Sequence, residues 1–387
     1  MEQSIFFEYV KKYFPQLVLT VTSRLNDTNN RLTYMYRDLL TKRFSADGRW
    51  ASILAEYTRV AADVVALDSE LPLKARDSVS SVTGDIPKIG MKLALTEKQL
   101  KDIDSMLAQP NLPIRTVVQA IFADLPRCIE GVYERIEDMF LSEMSTGVGL
   151  TERNNGTGVR IDVGYKKENA FYATTTWSDA GSTPISDIQK IFDKALADGH
   201  TITDVYTDDT TLRNLYKNTE VKQQFAFIQN FVGSAIPNLN YSQLQQVFQS
   251  VFGITLHRVA RKVRTELNGI QVSHSPWASG RMVFTCDDRI GSLVWTTLAE
   301  ASRPVAGVVY QTTDDYILAS RYSKNDPFRE ITSSQAMVVP IIDNVDRIYT
   351  MDPTRTQSDM ELSLSSFSPV TRTASSTRKK TAAVSDE

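Results

Sequence analysis

Between Ile114 and Met144 the apolar residues Ile114, Val118, Ile121, Leu125, Ile129, Val132, Ile136, Phe140 and Met144 recur every three or four positions, the spacing of one face of an α-helix. Over about eight turns such a helix is about 45 to 50 Å long. Pro126 is its expected kink, and Thr146-Gly147 its expected stop, because glycine readily takes the left-handed conformation at a helix end. A helix of that length exceeds the needs of one compact domain and suits a rod crossing an elongated subunit.

The elements before it follow a different pattern. Residues 1–61 read as an arm with short helical pieces, rich in Phe6, Phe7, Tyr9, Tyr13 and Phe14. Those rings are too many to leave wet on a monomer, so they pack either on their own subunit or on a neighbour. Residues 62–95 predict a long hairpin, with VVALDSELPLKARD and IPKIGMKLAL as strands and SVSSVTGD as a glycine-punctuated mobile tip. Thr96 and Gln99 then form a capping box for a helix with Leu100, Ile103 and Leu107 on one face.

Beyond the long helix, strand-like alternation in GVRIDVGYKKENAFYATTTWSD leads to a helix at PISDIQKIFDKALADGH, capped by Ser182 or Ser186. After the short strand ITDVYTDD come a helical run, TTLRNLYKNTEVKQQFAFI, and a capped helix, NYSQLQQVFQSVFG. Six strand-like segments follow from Ile254 to Asp343, ending in the apolar run Met337–Ile342, an Asp-Asn-Val-Asp turn and a short strand to Asp352. Helices inserted among mixed strands indicate an α+β fold rather than a doubly wound one. The last stretch, 353–387, is rich in Ser and Thr with a basic cluster at Arg378–Lys380, and it reads as a flexible tail.

Chemistry is hard to find in this chain. VTGDIPKIGMK (Val82–Lys92) lacks the spacing of a phosphate loop. The pairs Asp208-Asp209, Asp287-Asp288 and Asp314-Asp315 each end an apparent strand, where Asp suits a turn. His200, His257 and His274 lack the spacing of a helical metal site, and Cys128 and Cys286 are isolated from each other. The acceptor patterns at Asn155 and Asn240 carry no weight without secretion. We therefore expect no catalytic residue, no cofactor and no metal.

With 43 basic and 46 acidic residues, the chain has no broad electrostatic footprint for nucleic acid. The Arg378–Lys380 cluster could meet phosphates by charge, as local, non-specific contact with DNA. No stretch approaches the roughly 18 apolar residues of a membrane span, so no membrane partner is expected, and the isolated cysteines fit a reducing cytoplasm.

Two stretches carry a family resemblance. EDMFLSEMSTGVGLTERNNGTGVRIDVGYKKENAFYATTTWSD has a helix end, a Gly turn, short strands and a Trp-Ser entry to the next unit. Asp326-Pro327-Phe328-Arg329-Glu330, with the downstream SSQAMVVPIIDNVDRIYTMD, has the closing pattern, and DVYTDDTTLRNLYKNTEVKQQF matches less specifically between them. Over about 57–352 the chain resembles the major capsid proteins of tailed bacteriophages, of the Hong Kong 97-type fold, in particular the lambda-like capsid E family.

That resemblance implies an E-loop hairpin (62–95), a peripheral domain (96–176) built on the spine helix and completed by part of 304–336, an axial domain (177–303) and closing strands (304–352). The chain departs from the family in its longer, aromatic N-terminal arm (1–61) and in the Ser/Thr/Lys tail (353–387). It implies self-assembly into pentamers and hexamers of an icosahedral head shell around double-stranded DNA, in a virion assembled in the bacterial host cytoplasm. Scaffolding, portal, protease and decoration proteins would be its partners, and DNA contact would be non-specific. An encapsulin-like compartment shell holding a cargo enzyme shares the fold and is the alternative; an α+β enzyme of unrecognised chemistry is a third reading.

Overall fold

The computed structural model describes residues 2–357 except 28–33, 56–78, 110, 151–159, 180, 231–232, 234–235 and 268. Helix α1 (Phe7–Leu25) replaces the short pieces expected in the arm. Its buried stripe is Val10, Phe14, Val18, Thr22 and Leu25, a regular helical period only when Thr22 counts as a core position. Pro15 lies inside the helix. Phe6 and Phe14 are buried in their own subunit, and Tyr9 and Tyr13 pack partly against the same core. A short helix α2 (Met35–Leu39) leads directly into strand β1 (Leu40–Phe44).

The hairpin is offset from its expected position. Strand β2 (Arg49–Ala55) pairs antiparallel with β3 (Val79–Asp85), from Arg49 opposite Asp85 to Ala55 opposite Val79. The expected tip, 78–85, is therefore mostly strand. Val79, Val82 and Thr83 favour extended backbone, and Gly84 is a packing residue rather than punctuation: a Cβ there would lie 2.7 Å from Trp50 Nε1. The expected first strand, from Ala62 onward, falls on residues 56–78, outside the described residues. Strand β4 (Lys88–Leu95) leaves the hairpin and joins a larger sheet.

Helix α3 (Glu97–Leu107) begins at the expected box, where Gln99 Oε1 accepts from the Thr96 N–H and hydroxyl, both at 2.9 Å. The long periodic run is two helices, α4 (Ile114–Ile121) and α5 (Leu125–Thr146), not one kinked rod. The break falls at residues 122–124, and Pro126 sits in the first turn of α5, where its missing N–H costs little. Gly147 stops α5 at φ 75°, its N–H donating to Glu143 O at 2.7 Å.

Strands β5 (Val148–Leu150) and β6 (Arg160–Asp162) form a small pair. A second layer then begins with β7 (Ala170–Ala173), α6 (Pro184–Ala197), β8 (Asp204–Asp208), α7 (Asp209–Lys217), α8 (Thr219–Ile228) and α9 (Tyr241–Phe252). The cap of α6 is Thr183, not Ser182 or Ser186, and it makes no side-chain bond. Glu220 does that work, accepting from Ile185 N at 2.7 Å and Ser186 Oγ at 2.8 Å. The expected single helical run is α7 and α8, divided at Asn218, whose side chain accepts from Val221 N to cap α8. Asn240 caps α9 with Gln243, and Gly253 closes it at φ 73°.

The remaining elements are β9 (Thr255–Val259), β10 (Val263–Leu267), β11 (Ile270–His274), β12 (Met282–Thr285), β13 (Gly291–Thr296), α10 (Ala299–Ser302), β14 (Val309–Thr313), β15 (Ile317–Lys324), β16 (Arg329–Ile342) and β17 (Ile348–Thr356). Apart from β10 and β11, which pair only with each other, these strands complete two sheets. The first has the order β1-β13-β16-β15-β14, with β4 also on β16; the second has the order β7-β17-β12-β8-β9. Helix α5 packs on the first sheet, where Ser334 Oγ donates to Cys128 O and a Cβ on Gly131 would meet Met91 Sδ. Helices α6 to α9 share the second core with Trp177, Ile191, Leu212, Leu244, Phe248 and Met351.

The two sheets do not divide at the expected boundaries. Strand β13, expected within 177–303, belongs to the first sheet, and β17, expected among the closing strands, lies between β12 and β7 in the second. The chain crosses between layers at the Asp343–Asp346 turn, where Asn344 takes φ 53°. Strand β17 also runs to Thr356, past the expected start of the tail. Residues 358–387, including Arg378–Lys380, lie outside the described residues.

The crossing strands meet most tightly at Gly291. A Cβ there would lie 2.1 Å from Ile341 O, a backbone atom. Gly291→Ala is expected to destabilise the chain by about 1–3 kcal/mol, as overpacking does; urea unfolding of variant and wild type measures it.

Candidate assembly surfaces

The residues that could have carried chemistry are internal braces. Asp208 caps α7 by accepting from Thr211 N at 3.1 Å, and Asp209 pairs with Arg258 at 2.5 Å. Asp287 pairs with Arg347 at 2.7 Å. Asp314 and Asp315 hold a turn with φ of 52° and 72°, and both bind Lys42, at 2.6 and 2.8 Å. His200 Nδ1 contacts Tyr349 Oη at 2.8 Å, His257 pairs with Asp204 and His274 with Asp138, both at 2.7 Å. Cys128 and Cys286 are buried, and burial pushes both thiols up to about 12. The structure brings none of the acidic pairs together with a histidine or cysteine as a metal centre: among the described residues no group of three or more His, Cys, Asp or Glu converges on one point. Among the described residues no helix is long and apolar enough to cross a membrane.

A cluster on α5 joins the arm, the first sheet and the β10–β11 ribbon. Tyr34 Oη donates to Glu134 at 3.1 Å, and Glu137 accepts from the backbone N–H groups of Met35 at 3.0 Å and Tyr36 at 3.2 Å, which start α2. Arg261 pairs with Glu134, and its guanidinium lies 4.8 Å from the Tyr34 ring centre. Arg37 lies 4.4 Å from the Tyr133 ring, whose hydroxyl donates to Asp314 at 3.0 Å. Such cation–π contacts strengthen where water is excluded. Sequence periodicity places Ile136 and Phe140 inward but gives no sign that Glu137 and Asp138 are buried too, because helix α2 and the ribbon that cover them come from distant parts of the chain.

A second brace ties the N-terminus to β15 and β16. Arg321 and Glu330, both fully buried, pair at 3.0 Å. Glu330 also accepts from Ser4 Oγ and, at 3.3 Å, from Ile5 N. Glu330 of the Asp326–Glu330 stretch is thus a structural acid that anchors residues 2–6.

Several large apolar side chains face outward on both layers. Phe44 is 54% exposed beside Trp295, with ring centres 4.8 Å apart. Leu196 and Phe227 on α6 and α8 are 77% and 80% exposed. The β2–β3 and β10–β11 ribbons belong to neither large sheet. Two-stranded ribbons are marginal on their own in water.

Glu137 supplies a pH signature. Burial raises its carboxyl from 4.5 to about 7, against the opposing pull of the Met35 and Tyr36 amides and of Arg261. Above about pH 7 the buried carboxylate carries its full desolvation cost. As pH falls from about 7 to 4.5 the folded chain takes up a proton that the unfolded chain does not, so stability rises, by on the order of 3 kcal/mol. Glu137→Gln is expected to remove that part of the dependence, so that wild type gains on the variant as pH falls through this window; chemical unfolding of both from pH 8 to 4.5 checks it.

No curated protein matches the chain. Its fold is similar to that of a protein described as the capsid protein of an Escherichia coli prophage, at 13% identity and TM-score 0.55, over 87% of this chain and 98% of that one. A phage-related protein of Bordetella bronchiseptica matches at 10% identity and TM-score 0.47, over 88% and 97%, and the mature capsid of bacteriophage PhiM1 at 8% and 0.43, over 84% and 89%. The fold is the Hong Kong 97 type. The model of the family Phage major capsid protein E matches residues 54–337, and the chain belongs to that family, whose members build the head shell.

Proposed function

We propose that copies of this chain assemble into pentamers and hexamers that close an icosahedral shell around double-stranded DNA in the virion, with no catalytic residue, cofactor or metal of their own. Family membership carries the shell role, and one observation supports the mode of assembly: the β2–β3 ribbon stands outside both large sheets. A ribbon of that kind gains stability by lying on a neighbouring subunit. In this reading the ribbon is the E-loop, now starting at Arg49 rather than Ala62. The first sheet with α5 is the peripheral domain, and the second sheet with α6 to α9 is the axial domain. The N-terminal arm belongs to the peripheral domain, because α1 packs on β14 and α5.

Assembly in the host cytoplasm, with scaffolding, portal, protease and decoration proteins as partners and non-specific contact with packaged DNA, belongs to the same proposal. The match to a phage capsid family favours the viral shell over an encapsulin-like compartment, which would differ by enclosing a cargo enzyme instead of a genome.

Deleting 78–85 would remove β3 itself, so the informative change shortens the segment between the strands. Replacing 56–78 with a short Gly-Ser turn keeps Ala55 and Val79 in register. The expected outcome is a subunit that folds with wild-type secondary structure and forms far fewer closed shells in electron micrographs. Unchanged shell yield would contradict the role given to the ribbon.

A further inference from the structure

The β10–β11 ribbon has an apolar face that is covered at its root and uncovered along its length. Val263 pairs with His274, Thr265 with Val272 and Leu267 with Ile270; directly opposed residues share a face of an antiparallel pair. One face therefore carries Val263, Thr265, Ile270, Val272 and His274, and the other carries Arg264, Glu266, Gln271 and Ser273. At the root Val263 is 2% exposed and His274 binds Asp138 of α5. Further out Val272 is 56% and Ile270 69% exposed.

The root is held rigidly. Arg261 pairs with Glu134 and lies over Tyr34, and Asp138 is fixed from its own helix by Arg135 at 2.9 Å. A polar face of Arg, Glu, Gln and Ser suits water, whereas an alternating apolar face does not. The ribbon is thus preorganised to present one apolar strip, which lowers the entropy cost of docking.

We infer that the apolar face of the β10–β11 ribbon is a subunit-to-subunit contact, with a second copy of this chain seated on Val272 and Ile270. This rests on the shell reading above: in a shell built of one repeated chain, the surface brought against an outlying ribbon is another copy.

The test uses the full-length chain under conditions in which wild type forms shells. The double substitution Ile270→Ser with Val272→Thr is expected to abolish closed particles in electron micrographs while leaving a subunit with wild-type circular dichroism. Gln271→Ala with Ser273→Ala, on the polar face, is expected to assemble normally. Because Cys128 and Cys286 are buried, Val272→Cys also accepts a photoactivatable cross-linker selectively. Illumination of assembled shells is expected to yield covalent dimers and higher multimers. Cross-links within one chain only, or normal shells from the apolar-face variant, would overturn the contact while leaving the shell reading intact. A wild-type chain that forms no shells would overturn both.

Discussion

The packing of α5 across β16 is the constraint on which the other elements depend. Strand β16 is 14 residues long and hydrogen-bonds to three strands: β15 along Arg329–Ala336, β4 along Glu330–Met337 and β13 along Met337–Ile342. Those partners bring in the return of the β2–β3 ribbon through β4 and the N-terminal segment through β1, which pairs with β13. Val338, Val339, Ile341 and Ile342 are fully buried, as are Ile129, Ile136 and Phe140 of α5. Each such side chain contributes about 1.5–3 kcal/mol when removed from water, which makes this contact rigid enough to hold marginal ribbons at fixed positions.

The buried charges follow from that rigidity. Glu330 with Arg321 and Glu137 at the start of α2 sit where a segment from far away in sequence must be held in one place. A buried pair is weak evidence for net stability, yet breaking one by removing a partner costs about 3–5 kcal/mol. Glu143, fully buried, accepts from Ile342 N at 2.8 Å, and burial pushes its carboxyl well above the ordinary value. It joins the last turns of α5 to the end of β16, beside the turn where the chain crosses into the second sheet. These acids fix register and position at the seams of the subunit.

Much of this was legible in the residues. Local signals performed well: the Thr96 and Asn240 caps, the Gly147 and Gly253 stops and the Met337–Ile342 core strand all depend on near neighbours in sequence. The family patterns at the end of α5 and around Asp326–Glu330 carried the fold class and the shell role. Readings failed where tertiary contact overrode local cues. Gly84 resembled a loop glycine and is a seat for Trp50; Pro126 resembled a kink inside one rod and sits in the first turn of a second helix, α5. The sheet membership of β13 and β17 was hidden because it depends on which layer the chain crosses to, and nothing within either strand records that. The carboxylate cluster on α5 was hidden for the same reason.

A firmly packed α5–β16 body that presents ribbons for docking on neighbouring copies is the core of this reading. Hydrogen–deuterium exchange, compared between unassembled subunits and closed shells, tests it directly. The account predicts that the amides of β2, β3, β10 and β11 gain protection on assembly, while those of α5 and β16 are already slow in the free subunit and change little. Equal protection of the ribbons in both states, or slow exchange of α5 and β16 appearing only in shells, would contradict it.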